Sequence, residues 1–134
     1  MKKLLGILVL GLLLSSNAYA EIILKNCGGS DYEKNEIKID KKSKKINTVY
    51  VYTDEFIKTH SYADDKSVIN KINVAEFDLV YIDDSYAKGE RTHLSKRLWL
   101  LEIEIEISLK NKIVYYVFTE VVSDFQWKTR RECK

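Results

Sequence analysis

From Leu101 to Ile107 the chain reads "LEIEIEI", with glutamate at every second position and apolar residues between. Only an extended chain sorts such a run, because successive strand residues point to opposite faces. A helix would scatter the carboxylates around its circumference. On a strand, Trp99, Leu101, Ile103, Ile105, Ile107 and Leu109 share one side, and Glu102, Glu104 and Glu106 share the other. Carboxylates spaced about 7 Å apart along a strand repel weakly in water and strongly in a dry interior. The isoleucine side is therefore the core and the glutamate side is wet. The next segment, "IVYYVF" (113–118), is apolar on both faces, so cover is expected on both.

The rest of the chain follows the same period. Strands are expected at 21–26, 36–40, 46–53, 75–83, 97–109, 113–122 and 125–133. Residues 55–62 read as a strand or, in part, a helical turn. In 64–73, Val68, Ile69 and Ile72 have helical spacing after Asp64 and Asp65, which suits one short helix, while an ordered loop and a strand stay open as alternatives. The stretch 84–93, around Gly89, reads as a turn or loop, with a short strand at Tyr86 as the alternative. Seven or eight short strands with short connections give an all-β fold: a single small antiparallel meander, closed as a barrel or folded as a sandwich. An outer-membrane barrel needs about ten residues per strand with a continuous apolar lipid face. Lysines interrupt most of these strands, which argues against it.

Residues 1–20 are set apart from this domain. Lys2 and Lys3 precede an apolar run from Leu4 to Leu14, then small and polar residues, then Ala18-Tyr19-Ala20. That is the plan of a secretory signal peptide, and the run is too short to span a membrane stably. The expected domain is then 21–134 and the expected compartment the periplasm of a Gram-negative bacterium, with no stable membrane insertion once the leader is removed. Cys27 and Cys133 are the only cysteines. In an oxidising compartment they read as one disulfide tying the two ends together. The competing reading makes Cys27, in "NCGGSD", a nucleophile. No histidine lies near it in sequence, and the glycines suit a turn equally well.

Charge narrows the partners. The chain has 22 basic and 20 acidic residues; without Lys2 and Lys3 the counts are equal. A neutral chain of mixed signs gives no case for nucleic acid as partner. No metal or other cofactor is expected: His60 and His93 are isolated, and the carboxylates form no ligand motif. No catalytic residue stands out, since nucleophile-elbow, zincin, phosphate-loop and dinucleotide patterns are all lacking.

Tyrosine is plentiful, nine in all. Half-buried strands favour it, so packing explains many. The functional reading is an aromatic-lined cavity in a small barrel, with Tyr50, Tyr52, Tyr116 and Trp127 as candidate lining. The expected function is a non-enzymatic binding or interaction module whose partner is a small apolar ligand or a protein. The alternatives are a hydrolase of unfamiliar type built on Asp83, Asp84, His60 or His93, and a purely structural partner-binding protein.

Overall fold

The computed structural model describes residues 21–60, 70–94 and 100–134. The expected leader lies outside the described residues, as do positions 64–69 of the stretch 64–73. The strands are β1 (Ile22–Lys25), β2 (Tyr32–Asp40), β3 (Lys45–Tyr52), β4 (Ile72–Ile82), β5 (Tyr86–Leu94), β6 (Leu100–Ser108), β7 (Ile113–Glu120) and β8 (Gln126–Glu132). Each pairs antiparallel with the next, so spatial order equals chain order. The sheet is a meander curled into a half-barrel.

The helix among the described residues is α1 (Asp54–His60), between β3 and β4. Thr53 caps it, its Oγ1 accepting the Phe56 N–H at 3.1 Å, and Asp54 and Glu55 sit in the first turn, where the exposed N–H groups favour negative charge. This resolves the strand-or-turn choice over 55–60 in favour of the helix; positions 61 and 62 lie outside the described residues. Of the alternatives open at 64–73, the described end takes the strand and not the helix: Ile72 and Asn73 begin β4, because Ile72, Val74 and Glu76 alternate outward against Asn73, Ala75 and Phe77.

The concave face holds the core. Ile37, Ile39, Ile46, Ile105, Ile107 and Val114 are fully enclosed. Gly89 corrects the loop expected at 84–93: it lies in mid-β5, opposite Leu79 and Ile105. A Cβ there would lie 2.8 Å from Ile46 Cδ1, on a non-adjacent strand, and 2.9 Å from Ile105 Cγ2. The missing side chain is what lets the interior close over β5.

The glutamates face outward, and two of them have lysine partners. Lys88 lies 3.5 Å from Glu104 and Lys128 3.7 Å from Glu106. The cover needed by the outer side of β7 comes from these long side chains rather than from a second layer. Val117 is buried between Glu104 and Lys128 in the register, and the Lys128 ammonium sits 4.3 Å from the Tyr115 ring centroid.

β1 and β8 are the two edges of the sheet, and chain ends join them. Cys27 and Cys133 form the expected disulfide. Lys134 N–H donates to Lys25 O at 3.2 Å, and Asn35 Nδ2 donates to Cys27 O. The curl is thus fastened at one corner and left open along the aromatic end.

Candidate ligand cavity

Beyond the isoleucine floor the concave face turns aromatic. On β3 the inward residues run Ile46, Thr48, Tyr50, Tyr52. On β7 they run Val114, Tyr116, Phe118, and on β8 Trp127, Thr129, Arg131. A bulge between Tyr32 and Lys34 changes the parity of β2 and turns Tyr32 to the same side as Asn35. Tyr32, Tyr50, Tyr52, Asn73, Tyr116, Phe118, Thr129 and Arg131 enclose an open cavity of about 320 Å3.

The rings form a continuous run. Phe118 stacks on Trp127 with centroids 5.2 Å apart, Tyr116 approaches Phe118 at 6.3 Å and Tyr50 at 6.4 Å. Tyr32 lies 5.7 Å from Tyr50 and 4.9 Å from Tyr52, which stacks on Phe56 of α1 at 4.4 Å. Three of the four sequence candidates, Tyr50, Tyr52 and Tyr116, therefore meet in one wall. Trp127 stands beside the wall, behind Phe118, and is 38% exposed. Five wall residues were not among the sequence candidates: Tyr32, Asn73, Phe118, Thr129 and Arg131. Arg131 had a signal, because it lies two residues before Cys133 and so shares the face of a buried sulfur. Tyr32 had none, since a bulge is not written in alternation.

Arg131 is the charged residue of the wall. Its guanidinium carbon is 5.1 Å from the Tyr32 ring centroid and 5.6 Å from that of Tyr50, and Nη2 donates to the Tyr32 hydroxyl at 3.1 Å. No carboxylate among the described residues forms an ion pair with it. The Tyr50 and Tyr116 hydroxyls and Arg131 Nε are buried without a hydrogen-bond partner among the described residues. Burial strips the Tyr50 hydroxyl of water and raises its pKa far above the ordinary phenol value, although the nearby Arg131 cation acts in the opposite direction.

Other features compete less well. A larger cleft, about 460 Å3, runs along the seam past Gly28, Gly29, Arg130 and Lys134, but no aromatic ring lines it. At the aromatic end, Leu94, Leu100, Val121, Val122 and Phe125 leave an exposed apolar rim, with Val121 N–H donating to Leu100 O at 3.1 Å.

The hydrolase residues are not brought together. Asp83 shapes the β4–β5 turn, accepting from Tyr81 Oη at 2.7 Å and from the Ser85 and Tyr86 N–H groups at 2.8 Å. These bonds, Tyr81 first, hold its pKa at about 2, so at neutral pH it is an ionised turn anchor. Asp84 is exposed beside it. His93 lies near the far end of β5, roughly 20 Å away at the rise of an extended strand. His60 ends α1, stacked on Phe56 at 4.0 Å, also at the far end. No three His, Cys, Asp or Glu among the described residues are grouped to hold a metal ion. No helix among them is long and apolar enough to cross a membrane. Compared with protein-family models, curated proteins and solved structures, the chain matches none.

Proposed function

We propose that the chain is an exported binding module, not an enzyme, whose half-barrel holds a small planar ligand among the tyrosines of its open end. One observation carries the reading: a 320 Å3 concavity walled by Tyr32, Tyr50, Tyr52, Tyr116 and Phe118. Ligand sites span about 300–1,000 Å3 and are walled by apolar and aromatic side chains with a few polar groups. This cavity is at the small end of that range, which favours one or two rings over a lipid. Ring faces offer stacking surface at fixed positions, since neighbouring aromatics already hold them. Export accords with the leader pattern and with the pairing of the only two cysteines.

The test is a 1H–15N NMR titration with the neutral probe 2-naphthylmethanol. Shifts are expected at Tyr32, Tyr50, Asn73, Tyr116, Phe118 and Thr129. A response scattered over the outer face, or none at millimolar probe, would overturn the reading.

A further inference from the structure

Resting on that receptor reading, we infer that the cavity selects a monoanionic head group, a carboxylate on a small aromatic body, and that Arg131 holds it. Among the described residues, the wall carries one formal charge, the Arg131 guanidinium, and no carboxylate lines it. Among the described residues the other inward arginine is Arg91, 5.6 Å from the Phe77 centroid and outside the wall. One cation without a counter-charge matches a single negative charge better than a phosphate dianion. A guanidinium presents a planar fork of donors that fits the two oxygens of a carboxylate, and such pairs are about twice as strong as neutral hydrogen bonds.

The geometry also fixes the fork in advance. Arg131 is set against the Tyr32 and Tyr50 rings and bonded to the Tyr32 hydroxyl. A side chain already immobilised loses less freedom when a ligand arrives. The Tyr50 and Tyr116 hydroxyls are closed off from solvent, so the ligand meets their ring faces while its carboxylate meets the guanidinium. The aromatic body then lies toward Phe118, where the stacked run continues to Trp127.

The experiment compares 2-naphthoate with its uncharged isostere 2-naphthamide by calorimetry on the purified, disulfide-intact protein. Naphthoate is expected to bind at least about tenfold more tightly, a margin of 1.4 kcal/mol. In Arg131→Met, which keeps the apolar stem, the ratio falls to about one. Arg131→Lys restores part of it, since it returns the charge without the fork. Added NaCl weakens naphthoate and leaves naphthamide unchanged, a readout that stands even where Arg131→Met fails to fold. Equal binding of the two probes to the parent protein would overturn the head-group inference and leave the receptor standing. An unchanged preference in a folded Arg131→Met would do the same. Binding of neither probe would overturn both.

Discussion

Replacing Gly89 with alanine tests how tightly the sheet is curled. The added Cβ would sit 2.8 Å from Ile46 Cδ1, 2.9 Å from Ile105 Cγ2 and 3.1 Å from Phe77 Cβ. Carbon atoms rest about 3.5–4.0 Å apart, so all three contacts are repulsive. Relief is poor: Ile46 and Ile105 are fully enclosed, and Phe77 is 3% exposed, so yielding at its Cβ means moving the β4 backbone. Overpacking by one methyl costs about 1–3 kcal/mol. Gly89 does not have positive φ, so alanine also narrows the unfolded ensemble, which returns roughly 0.4–1 kcal/mol. The net loss expected is about 1–2 kcal/mol. With a urea dependence of about 1–3 kcal/mol per molar, the unfolding midpoint should fall by roughly 0.3–2 M at unchanged slope. Equilibrium urea unfolding followed by far-ultraviolet circular dichroism measures this directly. A midpoint equal to or above that of the parent would refute the close cross-barrel approach at β5.

The disulfide, the outer face and the buried phenols give further expectations. Cys27→Ser/Cys133→Ser should lose about 4.8 kcal/mol in the chain-entropy treatment of a bridge with sequence separation 106, read as a fall in urea midpoint; a loss below about 1 kcal/mol would show that the seam does not restrain the chain. Glu90 directly opposes Asp78 on β4 and Glu104 on β6, so Glu90→Lys should stabilise by roughly 0.5–1 kcal/mol, with the gain shrinking in 1 M NaCl. Tyr116→Phe removes a buried hydroxyl lacking a partner among the described residues, so thermal unfolding should show stability kept or raised by about 1 kcal/mol, with naphthoate binding retained through the ring face. Tyr50 ionises above its unfolded value of 10.0. Its contribution to stability is therefore full below pH 10 and declines as pH rises beyond it, because the unfolded phenol loses its proton first. Tyr50→Phe should flatten that decline in urea midpoints measured from pH 9 to 11.

The parts of the fold written in alternation were legible. Ile103, Ile105 and Ile107 against Glu102, Glu104 and Glu106 fixed the faces of β6, and Cys27 with Cys133 fixed the seam, because period and redox chemistry act locally or on only two residues. Gly89 misled, since a glycine that marks a turn and one that admits a neighbouring side chain are identical in sequence. The caps and turns were half-visible: Thr53-Asp54-Glu55 is a helix start that the surrounding strand pattern obscured. Lys44 and Lys112, at φ 57° and 55°, each close a four-residue hairpin loop in the left-handed region, a position that lysine does not advertise. The cavity was legible by residue type and not by membership. Tyr50 and Tyr52 share a face by strand parity, whereas parity could not assign Tyr116, because both faces of 113–118 are apolar; Tyr32 depends on a bulge, and the contact of Arg131 with Tyr32 depends on curvature bringing β8 to β2. Curvature is a property of the whole sheet, so the face of Arg131 could be read from Cys133 but its contact with Tyr32 could not.

The most direct measurement is a crystal structure of the unliganded, disulfide-bonded protein. It should show the concavity open between Tyr50, Tyr116 and Phe118, with the Arg131 guanidinium against Tyr32 and no carboxylate of the chain beside it. A glutamate or aspartate seated on that guanidinium, or the tyrosines collapsed into a filled core, would contradict the receptor.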